Sequence, residues 1–342
     1  MILGRDLGID LGTSSVIVST RGKGAILREP TVVAMDKNTE RLLNVGMSAQ
    51  RMLGRTPGNV IAIRPMRDGA ISDYGMTERM LRELVRKALS FSVLKPRIII
   101  SVPSGITEVE ERAVIDAGVA AGARKVYLME APLAAAIGAG IDISKPEGHM
   151  VIDSGGGTTD IAVLSLSGIV ESISLKTGGE AFDRALIRYI RRKHNVEIGE
   201  TTAEGLKRDV GCVYPRPESV AIEIKGRNLL TGLADTVAIS SMDTLEAFGE
   251  VIENIVEAVH GILERTPPEL VADISENGII LTGGNSMLWG FDKLITTQTN
   301  ITTLTADDAD LCVANGLAKA LSWVGDMTEG PIHLARRKQM RV

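Results

Sequence analysis

Two stretches decide the fold: Ile9-Asp10-Leu11-Gly12-Thr13-Ser14 and Ile152-Asp153-Ser154-Gly155-Gly156-Gly157-Thr158-Thr159-Asp160. In each, an acidic residue ends an apolar run, and glycine and hydroxyl side chains follow. Because glycine lacks a Cβ, the backbone N–H groups of such a turn can converge on phosphate oxygens. The carboxylates of Asp10 and Asp153 would repel a bare polyphosphate, so we expect a hydrated Mg²⁺ between them and the phosphates. The pair of turns predicts a nucleotide clamp.

The residues that follow each turn show what kind of clamp this is. The runs Val16-Ile17-Val18 and Ile161-Ala162-Val163-Leu164 are typical of strands, so both motifs are predicted to be strand–turn–strand hairpins. The P-loop and dinucleotide-binding patterns, whose glycines lead into a helix, are absent from the sequence. One such hairpin alone would most often be an ordinary turn. Two in one chain favour the nucleotide site.

The composition is that of a globular α/β protein. With 342 residues, 44% hydrophobic residues and 36 glycines, the chain suits two domains or one bilobal unit. A net charge of −5 argues against a nucleic-acid binder. The first residues do not resemble a signal peptide, no window of about 18 apolar residues occurs, and the two cysteines suggest reduced thiols. We therefore expect a cytoplasmic protein without a zinc site or a histidine-based triad.

The first half of the chain reads as strands followed by a βαβα unit. Residues 2–35 are predicted to be consecutive strands, and a helix is predicted over 73–89. A strand at 98–102 precedes a helix that begins at the Thr107–Glu110 capping box. A strand at 126–128 and an alanine-rich helix over 132–139 follow. Such a unit predicts parallel strands.

The second half repeats this plan. Three strands are predicted between Met150 and Leu175, then helices over 180–194, at a Thr201–Glu204 capping box, and over 244–263. The chain is therefore interpreted as duplicated, with the ligand in the cleft between the two halves.

A third motif, Gly278-Ile279-Ile280-Leu281-Thr282-Gly283-Gly284, is a strand that breaks into a diglycine turn. One interpretation is that the backbone of Gly283 and Gly284 lies against a purine or ribose, where any side chain would collide. The alternative is an ordinary strand-to-helix turn, with Asn285 and Ser286 capping the next helix.

In this order the three motifs resemble those of the actin, heat-shock-chaperone and sugar-kinase ATPase superfamily. The similarity is greatest to the MreB family of bacterial actins and covers nearly the whole chain. Further stretches carry it: Gly54-Arg55-Thr56-Pro57-Gly58-Asn59, Arg64-Pro65-Met66-Arg67-Asp68-Gly69, Val102-Pro103-Ser104-Gly105-Ile106-Thr107 and Thr266-Pro267-Pro268-Glu269-Leu270.

The resemblance implies an α/β, actin-like duplicated two-lobe ATPase fold with the nucleotide in the interlobe cleft. The core of the first lobe would comprise residues 1–29 and 67–140 with part of 310–330, and its outer subdomain residues 30–66. The core of the second lobe would comprise residues 141–179 and 244–309, and its outer subdomain residues 180–243. A basic tail would follow at 331–342.

The resemblance also implies roles for individual residues. Asp10 and Asp153 would hold Mg²⁺ through water, Gly12, Thr13 and Ser14 would form the first phosphate loop, and Gly155, Gly156, Gly157 and Thr158 the second. Glu204 and Lys207 would line the adenine and ribose of ATP, and Gly284, Asn285, Ser286 and Met287 would complete the nucleoside site. Asn285 stands where relatives commonly have a third glycine, so we expect a modest change in nucleoside fit. A plain surface ion pair is the alternative for Glu204 and Lys207.

The chain departs from the family pattern at the position that serves ATP hydrolysis. Relatives have a glutamate directly before the proline of the alanine-rich helix, but here Ala131 precedes Pro132 and the glutamate, Glu130, lies one residue earlier. One residue rotates a side chain by about 100° at a helix start. We expect slow ATP turnover that depends on Asp153 and Asp160, with Glu130 as a further candidate.

Two segments are predicted to meet the membrane. Phe91, Val93 and Leu94 form an apolar tip of the kind that bacterial actins insert into lipid, although these residues could instead pack on their own lobe. The basic tail could favour anionic lipid, and a solvated terminus is the alternative.

The implied protein is a filament that forms paired protofilaments with its own copies. It would lie on the inner face of the cell membrane, with membrane-bound cell-wall elongation proteins as partners, and maintain rod shape. A small-molecule kinase of the same superfamily would need a substrate pocket in an enlarged lobe, and here the outer subdomains are short. Plasmid-segregating actins match the motifs less closely. The sequence leaves the choice between ATP and GTP open.

Overall fold

The fold is that of a computed structural model, which describes residues 6–89 and 94–323. Its first lobe is built on a five-stranded sheet. The strands are Leu7–Leu11 (β1), Ser15–Thr20 (β2), Gly24–Pro30 (β3), Arg97–Val102 (β9) and Lys125–Glu130 (β10), in the order β10-β9-β1-β2-β3. The strands β1 and β2 pair antiparallel, and β9 pairs parallel to both β1 and β10. The first glycine motif therefore forms the predicted hairpin, beside the predicted parallel strands.

The second lobe repeats this sheet. Its strands are His149–Ser154 (β11), Thr159–Ser165 (β12), Gly168–Leu175 (β13), Ile279–Thr282 (β17) and Thr303–Thr305 (β18), in the order β13-β12-β11-β17-β18. The pair β11–β12 is antiparallel, and β17 runs parallel to β11 and β18. Both sheets thus have an antiparallel meander on one side of the motif strand and two parallel strands on the other. The predicted duplication is confirmed.

Smaller sheets occupy the two ranges that were predicted to be outer subdomains. In the first range, Val33–Asp36 (β4), Leu42–Val45 (β5) and Val60–Ile63 (β6) form one sheet beside the short helix Met47–Gln50 (α1). In the second range, Val196–Glu197 (β14), Ala221–Asn228 (β15) and Ala234–Ser240 (β16) form another. A two-stranded hairpin, Met66–Arg67 (β7) with Ala70–Ile71 (β8), leads back to the first lobe.

The larger helices cover the sheets, mostly where the sequence predicts them. They are Tyr74–Leu89 (α2), Glu108–Ala120 (α3), Ala131–Gly138 (α4), Gly179–His194 (α5), Glu200–Val210 (α6), Ser241–Arg265 (α7), Pro268–Asn277 (α8), Phe291–Thr299 (α9) and Cys312–Ala320 (α10). The Thr107–Glu110 capping box is present at the start of α3.

The prediction of a second capping box was wrong. The helix α6 begins at Glu200 with Gly199 at its N-cap and no side-chain cap, so Thr201 is already helical, whereas a capping side chain must come from an extended residue before the helix. The capping box in this region is instead Ser240 with Asp243, at the start of α7.

The two lobes are joined by the crossing of α4 and α10. The helix α4 follows the last strand of the first sheet, whereas α10 follows the second sheet and packs on β1, β2 and β3. The crossing is close because it is made by glycines: a Cβ on Gly316 would lie 2.6 Å from the carbonyl carbon of Ala134. Across the described ranges, no helix has both the length and the apolar character to span a membrane.

Candidate functional site: an interlobe cleft

A cleft of about 1060 Å³ lies between the lobes and is lined by both glycine motifs. Its volume is at the upper end of the range of ligand pockets. The two hairpin turns meet at its base, since a Cβ on Gly157 would lie 2.8 Å from Thr13 Cβ and 2.8 Å from the Gly69 nitrogen. The Gly69 N–H donates to Thr13 Oγ1 over 3.0 Å. The structure therefore brings the two predicted phosphate loops together.

The second loop is held by the start of α5. The N–H groups of Gly179 and Glu180 donate to the carbonyl oxygens of Gly155 and Gly156, each over 2.9 Å. These bonds satisfy the loop's acceptors. Within the part of the chain that the structure describes, the N–H groups of Gly156 and Gly157 have no partner. Such a loop is suited to bind phosphate oxygens.

Each motif carboxylate is oriented by a hydroxyl from the neighbouring parallel strand. Ser101 Oγ on β9 donates to Asp10 Oδ1, and Thr282 Oγ1 on β17 donates to Asp153 Oδ1, each over 2.8 Å. Neither hydroxyl residue is among those that the sequence predicts for the site. The signal that could have found them is the strand register, because Thr282 is the direct neighbour of Asp153 in the sheet.

The carboxylates of the cleft are poorly compensated. Burial raises the pKa of Asp153 to about 7, with repulsion from Asp160 and Asp10 adding to it. Burial also raises the pKa of Asp10 to about 6, against the opposing effects of the Ser101 hydrogen bond and the charge of Arg28. A cation would stabilise their ionised forms. No three carboxylate, histidine or cysteine side chains in the described ranges are placed to ligate a metal directly.

Asp160 joins the two lobes at the cleft. Its Oδ1 accepts from the Ser104 N–H over 3.0 Å, and its Oδ2 accepts from Thr158 Oγ1 over 2.8 Å. Burial raises its pKa to about 6. Glu130 is placed differently: burial raises its pKa too, but Ala131 lines the cleft and Glu130 does not. The shift by one residue that the sequence shows thus takes the glutamate off the cleft wall.

Glu204 and Lys207 line the cleft from α6, but they do not pair with each other. Lys207 is buried, donates to the Gly179 carbonyl oxygen over 2.9 Å, and has Nζ 2.9 Å from Asp183 Oδ1. Glu204 lies 3.1 Å from Arg208 and 3.8 Å from Arg64, which belongs to the first lobe. The alternative of an exposed Glu204–Lys207 ion pair was therefore wrong.

The third glycine motif lies against the second phosphate loop. Gly283 has a φ of 81°, and a Cβ there would lie 2.6 Å from the Ser154 carbonyl carbon. Gly284 has open space where a side chain would be. At Gly283 a side chain would clash with the backbone of β11, whereas the space at Gly284 opens to the cleft, so the collision with a ligand stays a prediction there.

The residues after Gly284 differ in their access to the cleft. The Asn285 side chain donates from Nδ2 to the Gly155 carbonyl oxygen over 2.6 Å, and Asn285 and Met287 line the cleft. Ser286 is buried, donates to the Gly283 carbonyl oxygen over 2.6 Å, and does not line the cleft. Asn285 and Ser286 lie inside the 3-10 helix Gly284–Met287, and Gly290 is at the N-cap of α9. Their predicted role as helix caps was wrong.

Comparison with known proteins decides the family. The family model of the MreB/Mbl protein matches residues 4–329. The chain belongs to the MreB/Mbl family. This membership confirms the resemblance inferred from the motifs.

Relatives of this MreB/Mbl family member share close to half of its residues. The cell shape-determining protein Mbl of Bacillus subtilis is 47% identical over 313 residues, which cover 91% of this chain and 94% of that protein. The cell shape-determining protein MreB of Escherichia coli K12 is 46% identical over 333 residues, which cover 96% of each protein.

Solved structures agree with the actin-like fold. MreB 5 of Spiroplasma citri bound to AMPPNP aligns with a TM-score of 0.90 at 33% identity, covering 95% of this chain and 98% of that one. A MamK double helical filament aligns with a TM-score of 0.80 at 20% identity, covering 94% and 99% of the two chains, and supports the fold alone.

The predicted membrane segments of this MreB/Mbl family member fall mostly outside the described residues. Phe91, Val93 and the basic tail at 331–342 lie there. Leu94 is described, and 53% of its surface is exposed.

Proposed function

We propose that this MreB/Mbl family member binds ATP with Mg²⁺ in the interlobe cleft and polymerises into filaments that maintain cell shape. The observation that carries the proposal is the meeting of the two glycine turns at the base of one cleft, with the half-buried carboxylate of Asp10 beside one and the buried carboxylate of Asp153 beside the other. One turn by itself could contact a triphosphate from one side only.

In the proposed complex, the phosphates lie between Gly12–Ser14 and Gly155–Thr158. Asp10 and Asp153 hold Mg²⁺ through water, and the ion supplies the positive charge that phosphates need next to carboxylates. The nucleoside extends along Glu204 and Lys207 on one side and Gly284, Asn285 and Met287 on the other, all of which line the cleft. The solved structures of MreB 5 of Spiroplasma citri bound to AMPPNP and to ADP support nucleotide binding.

ATP hydrolysis is proposed to be slow and to time filament turnover. Asp160 is the group best placed to orient the attacking water, because its carboxylate is fixed by two hydrogen bonds and lines the cleft. Asp153 assists through the ion that it holds. The methyl side chain of Ala131, which lines the cleft, cannot act as a general base.

The assembly is proposed to lie in the cytoplasm, on the inner face of the cell membrane, as paired protofilaments. There it would guide membrane-bound cell-wall elongation proteins and so maintain rod shape. The relatives named as cell shape-determining proteins support this role over that of a small-molecule kinase or a plasmid-segregating actin.

Electron microscopy of the purified full chain with ATP and Mg²⁺ tests the proposal. We expect filaments with ATP, and none with the double variant Asp10→Ala, Asp153→Ala. The variant Asp142→Ala is the control, because Asp142 is exposed and does not line the cleft. A chain that binds no nucleotide and forms no polymer at any concentration would overturn the proposal.

A further inference from the structure

Arg216 and Trp289 form part of the cleft wall that none of the assigned roles uses. The guanidinium carbon of Arg216 lies 5.2 Å from the centroid of the Trp289 ring. A guanidinium over an indole at this distance is an attractive cation–π contact. Lys293 also lies near this ring, with Nζ 4.6 Å from the centroid, but Lys293 is exposed and does not line the cleft.

The segments that carry the two residues are fixed to each other. The Val213 N–H donates to the Trp289 carbonyl oxygen over 3.1 Å, and Cys212 and Trp289 form a parallel β-bridge. Gly290 has a φ of 81° and lies so close to the other segment that a Cβ would be 2.5 Å from Tyr214 Cβ. The pair is thus held as a preformed surface.

Arg216 differs from the other cations of the cleft. Lys207 faces Asp183, Arg208 faces Glu204 and Arg28 faces Asp310, whereas within the described ranges no carboxylate lies within 4.0 Å of Arg216. Its Nη2 donates to the Gly211 carbonyl oxygen over 3.3 Å, and its buried Nε has no partner among the described residues. A buried donor without an acceptor is unfavourable. Because no carboxylate of the described residues neutralises Arg216, an acceptor offered in the cleft would attract its guanidinium.

The position of the pair indicates which part of a nucleotide would meet it. The amide of Asn285 is bonded to the second phosphate loop, and the chain runs on from there past Met287 to Trp289. On the facing wall, Lys207 of α6 is bonded to Gly179 at the start of α5, and the chain runs on from Lys207 through Gly211 to Arg216. Both walls thus extend beyond the phosphate loops, where the purine of a bound nucleotide would lie.

We propose that Arg216, stacked on Trp289, hydrogen-bonds to the N7 and O6 edge of the purine base and thereby favours guanine. This proposal rests on the proposed nucleotide function of the cleft. A guanidinium has only donors. The N7 and O6 atoms of guanine are adjacent acceptors that a guanidinium binds with two hydrogen bonds, whereas adenine has a donor amino group beside N7. Arg216 is therefore a specificity-determining residue for the purine base.

Calorimetric titration of the full chain with ATP, GTP and inorganic tripolyphosphate, each with Mg²⁺, tests this assignment. In Arg216→Ala we expect GTP affinity to fall by at least about fivefold, the lower end of the discrimination by such a base pair. We expect the affinity for ATP to fall by only about twofold to threefold, because adenine would lose no more than a weak cation–π contact. The affinity for tripolyphosphate should be unchanged. Arg216→Lys keeps the charge and is expected to lose GTP affinity as well. Lys293→Ala is the matched control, because it removes a cation from the same ring outside the cleft.

The outcomes separate the two proposals. Equal losses for all three ligands in Arg216→Ala would mean that only the charge of Arg216 matters, and would overturn base recognition. Unchanged GTP affinity would overturn it too. If the wild-type chain bound no nucleotide, the proposed function would fail and the inference with it. Thermal unfolding of each variant, with Arg216→Lys as the milder change, shows whether a loss of binding reflects loss of the fold.

Discussion

Gly156 and Ser14, which belong to opposite lobes, lie so close that a Cβ on Gly156 would fall 2.7 Å from Ser14 Cβ. Glycine is therefore required at position 156 by the other lobe, in addition to any need of a bound phosphate. Because the phosphate loops touch, the spacing of the lobes at the base of the cleft and the geometry of the predicted nucleotide site are set by the same contact.

Replacing Gly156 should weaken nucleotide binding. In Gly156→Ala the added methyl group has to displace one of the two loops, and overpacking of about 1–3 kcal/mol corresponds to a loss of affinity of at least about fivefold. Titration with ATP and Mg²⁺ measures it. Gly249→Ala is the control, since Gly249 lies in α7 with open space around it. Wild-type affinity in Gly156→Ala would show that the loops separate without cost.

The stability of the nucleotide-free chain should fall as pH rises through neutrality. Burial raises the folded-state pKa of Asp153 to about 7 from 3.8. Between these two pKa values the folded chain keeps a proton on Asp153 that the unfolded chain has released. The contribution of this proton to the free energy of unfolding is therefore fully present below the unfolded pKa and is lost as pH rises through about 7. Urea unfolding in the presence of a metal chelator, measured from about pH 5 to about pH 8, should show this decline in the free energy of unfolding.

Asp153→Asn should flatten this pH dependence, because the amide does not titrate. Asp142→Asn is the comparison: the pKa of Asp142 is lowered by its hydrogen bonds with Ser144, so its effect falls at more acidic pH. An identical slope in Asp153→Asn and in the wild type would exclude Asp153 as the source.

The crossing of α4 and α10 should be intolerant of any side chain at Gly316. In Gly316→Ala the new methyl would overlap the Ala134 carbonyl, which is backbone and cannot rotate away. We expect destabilisation by about 1–3 kcal/mol or more, measured by urea unfolding. Gly261→Ala on α7 is the control, because its nearest neighbour is the end of the Arg265 side chain at 3.5 Å. Equal stability of the two variants would contradict the close crossing.

ATP turnover should depend on Asp160 more than on Glu130. Asp160→Asn keeps the size of the side chain but removes the base, so the single-turnover rate of phosphate release should fall by about tenfold or more. Glu130→Gln should change the rate by less than about twofold, since Glu130 does not line the cleft. In the wild type the rate should rise with pH through about 6, where Asp160 ionises. An undiminished rate in Asp160→Asn would remove this residue from the mechanism.

Polymer should bind anionic vesicles through the apolar tip. Transfer of one leucine side chain from water contributes about 1.5–3 kcal/mol at most, which is sufficient only when many copies act together. Phe91→Ser with Leu94→Ser should therefore reduce co-sedimentation of filaments with vesicles. The control is Leu304→Ser, because Leu304 has a similar exposure of 57%. Unchanged co-sedimentation of the double variant would contradict membrane insertion.

The sequence alone determined the two hairpins, the parallel strands beside them, most of the helices and the family. These features depend on residues that are close in the chain: the apolar run before Asp10, the glycines from Gly155 to Gly157, and the Thr107–Glu110 capping box. Strand and helix periodicity and turn chemistry act over a few residues, so they can be read along the chain.

Only the tertiary structure decided which residues contact the carboxylates and which form the wall of the cleft beyond the glycine turns. The hydroxyls of Ser101 and Thr282, the amide of Asn285 on the second phosphate loop, and the contact of Arg216 with Trp289 each join residues that are distant in sequence. Such contacts follow from strand register and from the packing of loops on each other. A shift of one residue changes which side chain reaches the site, as Glu130 and Ala131 show, and local sequence patterns do not fix that choice.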